Sequence, residues 1–126
     1  MPPIHLKRIY EDSAAGDGTR VLIDRLWPRG IKKEAAKLDA WCKSAAPSND
    51  LRKWYHADPS GGEDRWEEFR QRYLAELDAD ADSTAEICEL AAAATNRKPL
   101  TLLYAARSEE RNHAMVVREW LERQAH

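Results

Sequence analysis

An apolar run that does not alternate with polar residues has few homes in a folded protein, and this chain has two of them. They are Val21-Leu-Ile-Asp-Arg-Leu and Leu100-Thr-Leu-Leu-Tyr-Ala-Ala. A half-buried strand alternates with period two, whereas a strand covered on both faces is apolar throughout. Both runs are too short for a buried helix and far short of the ~20 residues that cross a bilayer. They are expected to be adjacent parallel strands at the centre of a sheet. The first is expected to end at Trp27-Pro28-Arg29-Gly30, where Pro28 cannot donate to a ladder and Gly30 marks a turn.

Helices and further strands are expected around this pair. Ile4 to Tyr10 is rich in β-branched and aromatic residues and reads as a strand, and Leu38 to Lys43 alternates and reads as a short one. Lys32 to Lys37 suits a short helix, and Ser48 can cap a helix through Tyr55. Asp64 to Asp78 has the plainest helical pattern, with Trp66, Phe69, Tyr73 and Leu77 on one stripe. Ser83-Thr-Ala-Glu86 has the spacing of a capping box for the next helix, whose inner face is Ile87, Leu90, Ala91 and Ala94. Ser108 can cap the last helix, with Glu109 and Glu110 in its first turn and His113, Val117 and Trp120 facing inward. Strands alternating with helices predict an α/β fold. The expected form is a single-domain three-layer sandwich with a mostly parallel central sheet, spanning 1–126.

The 126 residues fit one domain. Twenty Lys and Arg stand against 22 Asp and Glu, a balance that argues against a generic nucleic-acid binder. Cys42 and Cys88 form no CxxC pair and read as unpaired core cysteines. With no signal-like N-terminus, a reduced cytoplasmic setting without membrane association is expected. The four histidines have no metal-ligand spacing, and no phosphate loop, GxSxG elbow or HExxH stands in the chain. The residues specify neither a cofactor nor an oligomeric state.

In α/β sheets, ligands bind beyond the carboxyl ends of the strands. That places the candidate site where the loop after the first run, with Arg25, Trp27 and Arg29, meets the loop after the second, with Arg107, Asn112 and His113. Guanidinium groups suit phosphate or carboxylate, and a helix begins nearby. Arg25, Arg29 and Arg107 are expected to clamp an anion and Trp27 to cover an aromatic moiety. Tyr104 and His113 are expected to orient the ligand or transfer a proton. Asn112 completes the constellation. The plainer alternative pairs each arginine with a carboxylate such as Asp24 or Asp39, makes Trp27 a packing lid and His113 a core residue.

Four segments carry a resemblance. They are Arg20-Val-Leu-Ile-Asp-Arg-Leu-Trp-Pro-Arg-Gly-Ile; Ala46-Pro-Ser with Leu51-Arg-Lys-Trp; Trp66-Glu-Glu-Phe with Arg72-Tyr; and Thr101-Leu-Leu-Tyr-Ala-Ala-Arg with Asn112-His-Ala. Together they resemble the YeaO-like branch of domain-of-unknown-function family 488 over about residues 4 to 122. The resemblance implies a bacterial or archaeal α/β domain and carries no activity with it. The wider family often has Cys-His-Arg at the start of its last helix. Here the matching residues are Asn112-His113-Ala114, so thiol chemistry at that point is excluded for this chain.

Three functions follow as expectations. The first is a small anionic ligand, phosphate or nucleotide, bound at the carboxyl edge, with or without catalysis. The second is a non-enzymatic interaction or regulatory module presenting Trp27, Trp41 and Trp54. The third is a haem or metal protein using His113 or His5, which the lack of a second spaced ligand puts last.

Overall fold

The computed structural model describes residues 3–124. Four strands, β1 (Ile4–Arg8), β2 (Thr19–Leu22), β3 (Ala40–Trp41) and β4 (Leu100–Tyr104), form one all-parallel sheet in the order β1-β4-β2-β3. The two apolar runs are therefore neighbours at the sheet centre, with Val21 level with Leu102. All five residues of β4 are buried. The helices are α1 (Lys33–Ala36), α2 (Asn49–His56), α3 (Gly62–Ala79), α4 (Ala81–Ala93) and α5 (His113–Gln124). None is long and apolar enough to cross a membrane.

The sheet's two faces are covered unequally. Ile4, Val21, Leu100 and Leu102 join Phe69, Tyr73, Ile87, Val117 and Trp120 in a large core beneath α2–α5. Leu22 and Leu103 point the other way, into a small cluster with Ile9 and Ala36 that Trp27, Ile31, Leu38 and Trp41 close. The result is a three-layer sandwich whose third layer is α1 and its flanking loops. Cys42 and Cys88 are unpaired, as expected.

The strands end earlier than the apolar runs do. The first run leaves the ladder after Ile23, whose N–H still reaches the Leu103 carbonyl at 3.2 Å. Asp24 then diverts both chains. Its carbonyl accepts the Trp41 indole N–H at 2.7 Å, and its Oδ2 accepts the Ala105 N–H at 3.3 Å. A side chain thus takes the place of the next ladder bond, so Arg25 and Leu26 lie outside the strand. Leu26 is 68% exposed, against the expectation of a buried continuation.

Two helix starts also differ from expectation. Helix α4 opens at Ala81 because Asp80 is its cap, accepting from the Ser83 N–H and hydroxyl at 3.2 and 2.6 Å; Ser83 is a donor, not the cap. Helix α5 opens at His113, not after Ser108. Asn112 caps it through Oδ1, which accepts the Met115 N–H at 3.1 Å. Ser108 Oγ instead accepts the Glu110 and Arg111 N–H groups within the preceding loop, leaving Glu109 and Glu110 outside the helix. Ser48 caps α2 as expected. On α3, Phe69, Tyr73 and Leu77 are buried, while Trp66 is half-buried.

Candidate functional site

At the carboxyl edge of the sheet, the loop after β2, the C-terminal half of α2, one face of α3 and the start of α5 with the residues before it enclose a cleft of about 140 Å³. Its polar lining is Asp24, Arg25, Arg52, His56, Arg111, Asn112 and His113; Tyr55, Trp66 and Phe69 supply an aromatic wall. Tyr55 lies 4.7 Å from Phe69 between ring centres, and Trp66 stacks on Phe69 at 5.5 Å.

Asn112, His113 and Arg25 are held from behind. Asn112 is buried, its amide donating to the Ser108 carbonyl at 3.0 Å while its Oδ1 caps α5. This fixes where His113 enters the cleft. The His113 Nε2 faces the Ile23 carbonyl at 3.2 Å and Asp24 Oδ1 at 3.0 Å. Both are acceptors, so Nε2 carries the hydrogen, and Nδ1 has no hydrogen-bond partner among the described residues. The hydrogen is directed at Ile23, and the approach to Asp24 is too bent for a hydrogen bond. Asp24 Oδ1 is therefore buried without a hydrogen-bond partner.

Arg25 donates through Nη2 to the Pro47 carbonyl at 3.2 Å, and its buried Nε has no partner. The Pro47 segment is anchored to α3: the Tyr73 hydroxyl donates to Ala45 O at 2.5 Å, and Glu76 accepts the Ser48 N–H at 2.9 Å and its hydroxyl at 2.5 Å. Burial, then the nearby Glu76 and Asp24 carboxylates, push the Tyr73 phenol well above its ordinary range, so it stays a donor. Arg65 stacks on the Trp54 ring at 4.1 Å and donates to the Trp54 and Tyr55 carbonyls, tying down the end of α2 that carries Tyr55 and His56.

Three of the residues singled out from the sequence line this cleft: Arg25, Asn112 and His113. Arg107 lines an adjoining cavity. Tyr104 is buried under the helices and lines neither cavity, and burial, then Glu109 and Glu11, raise its phenol. Trp27 turns to the small cluster, meeting Trp41 edge-on at 5.2 Å and donating to Ile31 O at 2.7 Å. Since Trp41 holds the Asp24 carbonyl, Trp27 braces the loop from behind. Arg29 is exposed, and its carbonyl accepts from the Tyr10 hydroxyl at 3.1 Å. Trp54 packs with the large core, so it shares no cluster with Trp27 and Trp41.

Arg52, Tyr55, His56 and Arg111 were not singled out. Arg52 and His56 stand four apart on α2, with Tyr55 between, which places them on one helix face and is the signal that was there to find. Neither thiol lines the cleft. Cys42 donates to Glu86 at 3.2 Å, and burial, then that carboxylate, push it up to about 12. Among the described residues no group of three or more His, Cys, Asp or Glu is placed to hold a metal ion.

No solved structure matches this chain. The chain is 42% identical over 118 residues to the uncharacterized protein YeaO of Escherichia coli, covering 94% of this chain and 96% of that one. It is also 42% identical over 118 residues to the uncharacterized proteins Mb3100c of Mycobacterium bovis and Rv3073c of Mycobacterium tuberculosis, at 94% and 92% coverage. The family model described as the inactive DUF488-N3 subclade matches residues 3–126, and the chain belongs to that family.

Proposed function

We propose that this domain binds a small anionic ligand, a phosphate or nucleotide, in the cleft at the carboxyl edge of its sheet. The carrying observation is a local excess of positive charge. Arg25, Arg52 and Arg111 line the cleft against one carboxylate, Asp24, and the buried Nε of Arg25 has no partner. Buried donors are nearly always satisfied, so an orphan beside a cleft favours a ligand that accepts from it. Guanidinium groups gathered in a low-dielectric recess repel one another until an anion joins them.

In this reading Arg25 and Arg52 hold the anion, while His113 orients it through Nδ1 against the Asp24 and Ile23 contacts behind. Tyr55 and Trp66 offer a flat apolar wall to the rest of the ligand. Binding without turnover agrees with the description of the family subgroup as inactive.

Thermal unfolding with millimolar phosphate and sulfate tests the reading, because a ligand of the native state raises the melting temperature by mass action. Arg25→Ala and Arg52→Ala are expected to fold and to lose the increment seen with the wild type. His113→Gln is expected to reduce it. An increment of equal size in both arginine variants means that the stabilisation is a general salt effect and removes the reading.

A further inference from the structure

We propose that the ligand carries two anionic groups, one in the inner cleft and one in an outer basic subsite that Arg107 and Arg111 form. The inference rests on the anion-site reading above and adds a second subsite to it. The ligand class is a small molecule bearing a diphosphate.

The first observation is continuity. A second cavity, of about 410 Å³, shares Tyr55, His56, Ala106 and Arg111 with the inner cleft. The two form one groove with Arg111 at the junction. The second observation is size. The inner cleft, about 140 Å³, is close to the cavity of about 150 Å³ that accepts one benzene ring. It takes one compact group, so a larger ligand must extend outward past Tyr55 into the wider compartment.

The third observation is charge. Along the whole groove stand Arg25, Arg52, Arg65, Arg107 and Arg111 against Asp24 and Asp58, in a chain whose net charge is -2. The outer carboxylate is already used: Asp58 Oδ1 accepts the Ser60 N–H at 3.1 Å and its hydroxyl at 2.7 Å. Arg65 is committed to the end of α2. Arg107 is exposed and forms no ion pair among the described residues. Among the described residues Arg111 has one ionic neighbour, Glu63 at 3.8 Å, which is itself 92% exposed. Arg107 and Arg111 therefore face the outer compartment, Arg111 shared with the inner cleft and Arg107 adding to it. A ligand that engages both subsites gains affinity through effective concentration, without a new kind of contact.

Isothermal titration of the full chain with inorganic phosphate, pyrophosphate, a nucleoside monophosphate and the matching diphosphate tests this. Each diphosphate is expected to bind about tenfold tighter, or more, than its single-phosphate counterpart. Arg107→Ala, at an exposed position, is expected to bring pyrophosphate down to the affinity of phosphate while leaving phosphate binding unchanged. Equal affinities for the single and double anions, or an Arg107→Ala protein that still prefers pyrophosphate, overturn the outer subsite and leave the inner one standing. Failure of all four probes to bind overturns both. An oligothymidylate that displaces pyrophosphate, with an affinity that falls steeply in salt, makes the groove a nucleic-acid track and also overturns the proposal.

Discussion

The two ends of strand β2 carry the same pair of residue types and treat them in opposite ways. Before and within the strand, Asp17 and Arg20 are saturated. Asp17 accepts from Lys7 at 3.2 Å, from Arg20 at 2.5 Å and from the Ala14 N–H at 3.0 Å. Arg20 spends its other donors on the Ala36 carbonyl at 3.2 and 2.8 Å. Beyond the strand, Asp24 and Arg25 each keep a buried atom with no hydrogen-bond partner. The first pair locks the α1 layer to the sheet. The second borders the cleft and leaves polar atoms unpaired there. Charge in a partly buried setting is thus not one kind of feature; the count of satisfied atoms separates the fastening from the candidate site.

The largest effects are expected at the saturated end and in the aromatic wall. Asp17→Ala leaves Arg20 buried and uncompensated and should cost about 3–5 kcal/mol in urea melts. Asp24→Ala should cost only about 1 kcal/mol, because its side chain makes one long hydrogen bond, from the Ala105 N–H; equal losses at the two positions would erase the contrast. Phe69→Ala, which removes a core ring as well as cleft wall, should cost about 3–5 kcal/mol.

Acid sharpens the same comparison. Burial alone would raise the Asp17 carboxyl, but hydrogen bonds from the Ala14 backbone, Lys7 and Arg20 outweigh it and hold the group below its usual range. A lowered native value contributes stability that is fully present above the unfolded-state pKa of about 4 and lost as pH falls through the native value. Asp17→Asn should therefore flatten the loss of stability as pH falls below about 4. It should not abolish that loss, because Glu119, lowered chiefly by its hydrogen bond from Arg70, titrates on the same side.

The smallest effect is a gain. Lys37 ends α1 at φ 50°, a left-handed conformation that favours glycine. Lys37→Gly should stabilise the protein by about 0.5–1 kcal/mol in urea melts. No change would mean that the side chain offsets its own strain.

Much of the fold was legible because burial on both faces leaves a local mark: the runs at Val21 and Leu100 announced central strands and their neighbourhood. Helix starts were less legible. Ser83 and Asp80 are both good caps three residues apart, as Ser108 and Asn112 are four apart, and only packing decides between them. The site was half legible. Arg25 and His113 follow from the rule about strand ends. Trp27 and Arg29 were expected in the cleft because sequence spacing does not reveal that the chain turns to the opposite face after Leu26. Arg52 and His56 come from a helix whose position over the sheet edge is set by Arg65, Glu76 and Tyr73, contacts between segments distant in sequence.

The strand order has a consequence for biosynthesis. Strand β4 lies between β1 and β2, and Ile4 pairs with Leu100. Apart from the two-residue ladder to β3, neither early strand has a partner until Tyr104 has been made. At ~5–20 residues per second, the ribosome holds an open sheet edge and the bare stripe of α3 for several seconds. Most contacts then close late and over long sequence separations, which makes folding slow relative to a helical bundle of this length. No N-terminal fragment that stops short of β4 contains the centre of the sheet, so truncation there yields a chain without a core rather than a smaller domain.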